Sequence, residues 1–214
     1  MKNLQTRVIT DEWVTASWEE YIQTIENPTF EQAKGYYHNG KMRIEMASLG
    51  HDHASDNTIA ILVISLFATI RNIPIKGLTN CTYRKTGVRE CQPDISYYIG
   101  ERIQLVPRGT NIINLDNYPA PDLAIELGKT TIADDLGRKR ILYEDLAIPE
   151  YWVVDVQQAE VTAFAIANHG SRRITESQVL SGFPISLLAE ALQRNLQGDQ
   201  SQVVNWLLTE LQNS

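Results

Sequence analysis

Cysteine is nearly absent from this 214-residue chain, which has only Cys81 and Cys91. Two thiols at that spacing make neither a zinc site nor a disulfide framework, and they read as reduced thiols in or near strands. Long apolar runs are missing as well. None approaches the ~20 residues needed to cross a bilayer, and the longest, IAILVISLF at 59–67, reads as a buried helix. The opening MKNLQTRVITDEW has no apolar core of a secretory signal. Positive charge is in deficit, with 19 Lys and Arg against 26 Asp and Glu for a net charge of −7. That balance argues against a basic protein that coats nucleic acid. It leaves room for a local basic groove and suits a site that uses acids to hold cations. There are no internal repeats and no low-complexity segments. The expectation is a cytoplasmic protein with no membrane partner.

What is present is a mixed succession of helices and strands. Ser17 and Glu20 stand at capping-box spacing ahead of Tyr21, Ile22 and Ile25, predicting a helix over 17–26. Asn39-Gly40 between two β-prone runs is a hairpin signal. Residues 52–71 read as a long buried helix, and 75–100 as two or three strands with a turn near Gly87. A loop over 100–120 leads to a strand at PDLAIELGK, 121–129. The next helix carries Leu136, Ile141, Leu142 and Leu146 on one stripe, with Asp134 or Asp135 as its cap and Pro149 at its end. EYWVVDV is a buried strand, EVTAFAIA and RRITES form an antiparallel pair around His169-Gly170, and two helices near 185–196 and 201–212 close the chain. The fold class is α/β (α+β), a mixed sheet flanked by helices. Residues 1–196 form the domain, and 197–214 a helical tail that is not a domain of its own.

The strand at 121–129 carries an anomaly. Along a strand side chains alternate faces, so Leu123, Ile125 and Leu127 point one way while Asp122 and Glu126 point the other. Burying unpaired carboxylates is costly. Glu45 in MRIEMA and Asp94 in CQPDISYY add two more acids on other strands. A shared divalent cation accounts for all four. Mg²⁺ takes oxygen ligands, commonly one or two carboxylates completed by water and substrate phosphate, and supplies the charge whose absence would make such acids repel one another.

These residues lie in motifs that resemble the Uma-two family of restriction endonucleases, a branch of the PD-(D/E)XK nuclease-like fold. The resemblance spans roughly 15–190 and rests on YYHNGKMRIEMAS-GHDH, QPDISYY, PDLAIELGKTT, DLGRKRILYEDLAIPEYWVVD and SGFPISL. It implies a restriction-endonuclease-like mixed central sheet flanked by helices, with an N-terminal helix and hairpin and a C-terminal helical tail. It also implies Mg²⁺ or Mn²⁺ as cofactor and DNA as substrate. Asp94 fits the Pro-Asp position and Glu126 the second acid, while Asp122 and Glu45 match further acids. Two residues past Glu126 stands Gly128 rather than lysine. Lys139 on the following helix matches the displaced lysine, and Lys129, in a loop one residue shorter than the family's ELLSPST-like segment, is an alternative. The resulting expectation places a metal on Asp94 and Glu126, with Asp122 or Glu45 as a further or outer ligand, and Lys139 orienting the attacking water or neutralising the phosphate.

Other residues receive simpler readings. His51 and His53 are assigned to contacts at a helix start, and Tyr143, Tyr151 and Trp152 to the core. The run RKR at 138–140 reads as a solvated helix face. In the tail, Val203, Val204, Leu207, Leu208 and Leu211 form an apolar stripe bordered by Trp206, expected to meet a second subunit in a homodimer. Two functional classes remain open: a metal-dependent endonuclease, and a nuclease-fold protein with a degenerate site that serves as a binding module. No serine or cysteine nucleophile constellation is present.

Overall fold

The computed structural model describes residues 9–46 and 50–212, with the backbone of residue 213. The signal-peptide reading of 1–8 and the last residues of the MRIEMAS block lie outside the described residues. Ser17 and Glu20 form the expected capping box and start α1 (Trp18–Ile25). Asn39 and Gly40 adopt positive φ of 49° and 68°, the backbone of a two-residue hairpin turn. They join β2 (Ala33–His38) to β3 (Lys41–Met46), with β1 (Val14–Thr15) on the outer side of β3. The tight turn fixes the register. His38 faces Lys41, and four residues back along β2 Lys34 faces Glu45.

After α2 (His51–Ile70) the chain forms four strands where two or three were expected: β4 (Ile75–Thr79), β5 (Thr82–Lys85), β6 (Arg89–Cys91) and β7 (Ile95–Ile99). Asn80, at φ 50°, turns the chain between β4 and β5. A short β8 (Ile112–Asn114) lies in the following loop, and β9 (Leu123–Gly128) is the quoted strand. The next helix is interrupted: α3 (Ile132–Asp134), a π turn (Asp135–Lys139), then α4 (Arg140–Asp145). Strands β10 (Glu150–Asp155), β11 (Glu160–Ala167) and β12 (Gly170–Ile174) precede α5 (Ile185–Asn195) and α6 (Gln200–Asn213).

The strands divide between two six-stranded sheets. The mixed central sheet has the order β12-β11-β10-β9-β7-β4, with β9 and β10 parallel. The hairpin belongs to a second sheet, ordered β1-β3-β2-β6-β5-β8. One face of the central sheet packs on α2, α5 and α6 through Ile59, Val63, Phe67, Leu123, Ile125 and Trp152. The other face packs on the hairpin sheet through Tyr36, Tyr83, Ala124, Tyr143 and Tyr151. By length and composition α2 could cross a membrane, but Ile59, Ala60, Val63, Ile64, Phe67 and Ala68 are buried inside this fold. Both cysteines are free thiols.

The expected subunit contact through the tail is corrected here. Val203, Leu207 and Leu211 of α6 are buried in the chain's own helical core, and Arg194 lies over the Trp206 ring at 4.3 Å. The centre of the apolar stripe is therefore already covered, with Val204 and Leu208 half-buried beside it. Deleting 199–214 removes three buried aliphatic side chains and exposes those beneath them, a loss on the order of 5 kcal/mol at ~1.5–3 kcal/mol for each. The truncated protein is expected to melt far lower or to aggregate, as read by circular dichroism and light scattering. A truncated monomer melting like the full chain would contradict this packing.

Candidate active site between the two sheets

The alternation read from β9 holds. Leu123, Ile125 and Leu127 enter the helical core, whereas Ala124 and Glu126 face the hairpin sheet. β2 is buried along its whole length. Its odd residues Ala33 and Tyr37 pack under α1, and its even residues Lys34 and Tyr36 reach across to the central sheet. Glu45 comes from the strand paired with β2, Asp94 from the residue before β7, and Asp135 and Lys139 from the π turn. Six charged side chains from five segments thus meet where the two sheets face each other.

Asp94 is 2% exposed. One oxygen contacts Lys34 Nζ at 2.5 Å and His53 Nε2 at 3.2 Å, and the other accepts from the Leu127 N–H at 2.9 Å. Burial pushes its pKa up, but the Lys34 charge and the His53 contact outweigh it and hold the carboxyl well below its ordinary range. Glu126 is in the opposite condition. Its Oε1 accepts from Tyr143 at 2.7 Å and Tyr36 at 3.0 Å, while Lys139 and Lys34 stand at 3.8 and 4.0 Å from Oε2. Burial dominates over the two lysines, Asp94 and Asp135 add repulsion, and the Glu126 pKa is pushed up to about 8. Lys139 is fully enclosed. Its Nζ lies 2.8 Å from Asp135, 3.0 Å from Glu45 and 4.3 Å from the Tyr36 ring centroid. Burial opposes its charge, but Glu126, Asp135 and Glu45 together keep it protonated, above the ordinary lysine range. Burial likewise opposes the Glu45 charge, and Lys139, Lys34 and Arg43 more than offset it, keeping its pKa below normal.

Gly128 shows why no lysine stands two residues after Glu126. A Cβ there would meet Thr131 Oγ1 at 2.4 Å and Asp135 Oδ2 at 2.7 Å, so the position is filled by the start of the helix. Asp135 is not the helix cap. It faces Lys139 one turn on and accepts from Thr131 at 2.7 Å, while Asp134 accepts from Trp13 Nε1 at 2.7 Å. Single π turns inside α-helices recur at functional sites. This one places Asp135 and Lys139 together against Glu45 and Glu126.

Asp94, Glu126, Glu45 and Lys139 are brought together; Asp122 is not. It shares the parity of Glu126 but lies four residues earlier, ~13 Å along the strand. There Arg102 pairs with it at 3.1 Å and the Ile99 N–H donates at 2.8 Å. The expectation of Asp122 as a ligand is corrected on that ground. Lys129 is exposed on the rim of the cleft. His53 exceeds its assignment to the helix start by contacting Asp94. Tyr143 belongs to the core but also donates to Glu126. The sequence motifs do not mark Lys34 and Asp135 as site residues. Lys34 was legible, because a two-residue turn at 39–40 forces it opposite Glu45.

A cleft of about 290 Å³ opens onto this cluster, lined by Lys34, Glu45, His53, Asp94, Gly128 and Thr131 among others. Among the described residues no three His, Cys, Asp or Glu side chains converge closely enough to cage an ion unaided. The donor set still fits a hard divalent cation of the kind held by one or two carboxylates plus water and substrate oxygens. Four buried or nearly buried carboxylates (Glu45, Asp94, Glu126 and Asp135) face two lysines and, at Glu45, Arg43. Burial first, with repulsion from Asp94 and Asp135 added, is what leaves Glu126 inclined to hold a proton despite the two lysines.

Comparison with known proteins agrees with this architecture. No curated protein matches the chain. A solved structure described as a putative nuclease belonging to DUF820, from Anabaena variabilis, superposes with a TM-score of 0.53. The match is at 20% sequence identity and covers 89% of this chain and 98% of that one. At that identity the likeness speaks for the fold. The family model described as "Putative restriction endonuclease" matches residues 18–203. With most of its length inside that match, the chain belongs to the Uma2 (Uma-two) family.

Proposed function

We propose that this protein is a divalent-metal-dependent endonuclease that hydrolyses phosphodiester bonds of DNA. The observation that carries the reading is the Asp94–Glu126 pair, two buried carboxylates brought together by neighbouring strands beside an open cleft that Asp94 lines, with Glu126 pushed by burial toward its protonated form. Asp94 and Glu126 would hold Mg²⁺ or Mn²⁺, with Glu45 as an outer acid. Such an ion supplies a more acidic bound water and charge stabilisation at the scissile phosphate.

The chain's own residues account for the rest of the site. The Leu127 N–H and His53 fix Asp94, one on each of its oxygens. Tyr36 and Tyr143 fix Glu126 from its other side. Lys139, locked among Glu45, Asp135 and Glu126, keeps Glu45 ionised and holds the π turn against the strands. Hydrolysis forms one P–O bond to a water oxygen and breaks the one to the departing sugar oxygen. The pairing of two copies that double-strand cleavage favours would have to use a surface other than α6.

The rival reading, a nuclease fold kept as a binding module, draws on the Lys34–Asp94 ion pair, which partly satisfies the site without any metal. A plasmid-nicking assay separates the two. With millimolar Mg²⁺ or Mn²⁺ the protein is expected to nick or linearise supercoiled DNA. Chelation should stop the reaction, and Asp94→Asn should slow it by about 10³-fold or more, as expected when a metal's contribution to transition-state stabilisation is lost. No cleavage by a folded protein in either metal would favour the binding module, whereas metal-independent cleavage would overturn the metal dependence.

A further inference from the structure

Two lysines border the carboxylates, and their surroundings differ. Lys139 is 1% exposed, touches three acids and does not line the cleft. Any substrate group reaching it would have to break into a closed ionic lattice. Lys34 lines the cleft. Its side chain keeps 10% of its surface, and its Nζ stands 2.5 Å from Asp94 and 4.0 Å from Glu126, between the two acids that would share an ion. It also lies opposite Glu45 in the strand register, so a third acid is within its reach. A lysine ammonium is a compact point charge on a flexible four-carbon stem, and it can leave one carboxylate for another without moving the backbone.

We infer that Lys34, rather than Lys139, is the cation this site presents to substrate, and that in the metal-free protein its ammonium occupies the place of the divalent ion between Asp94 and Glu126. This rests on the nuclease reading above. When the ion is present, Lys34 is released from Asp94 toward the cleft, where it meets the non-bridging oxygens of the phosphate and offsets the charge that grows on them during hydrolysis. Lys139 remains a structural counterion throughout. Lys34 therefore competes with the metal for the same acids and yet is needed for the reaction.

That combination gives opposite signs in two measurements. Calorimetric titration with Mn²⁺ alone is expected to show Lys34→Met binding at least about 10-fold more tightly than the wild type, because a unit positive charge beside the acids is gone. Cleavage of plasmid at saturating Mn²⁺ should be at least about 100-fold slower in the same variant. Lys34→Gln, whose amide can still donate to Asp94, should behave alike and keeps the test available if the methionine variant folds poorly. Lys34→Arg should retain Mn²⁺ affinity near wild type. Unchanged or weaker Mn²⁺ binding by the neutral variants would overturn the assignment of Lys34 to the ion's place. Tighter binding with an undiminished cleavage rate would overturn its catalytic part. A wild type that binds Mn²⁺ but cleaves nothing would defeat the nuclease reading and that catalytic part together, while the titrations would still decide which group Lys34 replaces.

Discussion

Replacing Lys139 with methionine is expected to cost about 3–5 kcal/mol of stability, the range for breaking a buried ion pair from one side. In a chain of this size that lowers the melting temperature by roughly 10 °C. The size of the effect comes from what the substitution leaves behind. Glu45 at 3.0 Å, Asp135 at 2.8 Å and Glu126 at 3.8 Å lose their common cation, and of the three only Glu45 reaches the open cleft. Methionine fits the volume but restores none of the charge. The damage should shrink as pH falls, because the stranded carboxyls can then take up protons. Thermal melts at pH 5 and pH 8 check both points. A Lys139→Met variant that melts like the wild type at pH 8 would mean that Lys139 is not the counterion holding the π turn in place.

Glu126 gives the second large effect, with the opposite dependence on sequence change. Its pKa in the folded, metal-free protein is about 8, against an ordinary glutamate value of 4.5. A carboxyl whose pKa is raised by folding contributes stability while it stays protonated in the native state. That contribution is complete below the unfolded pKa and is lost as pH rises through the folded one. The metal-free wild type should therefore lose a few kcal/mol between pH 5 and pH 9, at about 1.4 kcal/mol for each unit of raised pKa. Glu126→Gln keeps a neutral group that Tyr36 and Tyr143 can still approach, and it cannot ionise. In chelator, its melting temperature should be nearly flat over that interval and should exceed the wild type's at pH 9 by several degrees. Divalent metal should remove the wild-type decline and leave the glutamine variant unmoved. Parallel pH profiles for the two proteins in chelator would refute the burial of an undercompensated Glu126 carboxyl on which the metal site rests.

Both effects arise at positions that the sequence revealed unequally. Glu126 was visible from alternation alone, because a carboxylate in LAIEL must enter one of two buried faces. Asp122 shares that parity and misled for the same reason: period two specifies a face but not a distance along it, and Arg102 from the preceding loop was invisible as its partner. The register of Lys34 with Glu45 follows from the Asn39-Gly40 turn. The hairpin's place in a second sheet, facing the first, does not. That division depends on the turn at Asn80, which sends β4 and β5 to different sheets, and a left-handed asparagine leaves little mark on hydrophobic periodicity. The π turn was hidden too, and the stripe read through Leu136, Ile141 and Leu142 is corrected by it: Leu142 is buried, whereas Ile141 is 46% exposed. Only the crowding at Gly128 by Thr131 and Asp135 shows how Asp135 and Lys139 come to share the site. In the tail, the apolar stripe was read correctly as needing a cover. Its cover proved to be the chain's own α2 and α5, which amphipathicity alone cannot distinguish from a partner.

The account depends above all on a divalent ion being held between the two sheets. The most direct measurement is a crystal of the wild-type protein grown with Mn²⁺ and examined by anomalous diffraction. One strong peak is predicted at the floor of the cleft, within about 2.0–2.3 Å of a carboxylate oxygen from Asp94 and another from Glu126, the distance expected for small hard cations. Lys34 Nζ should be withdrawn from Asp94. A crystal saturated with Mn²⁺ that shows no peak there, with Lys34 still bonded to Asp94, would contradict the account.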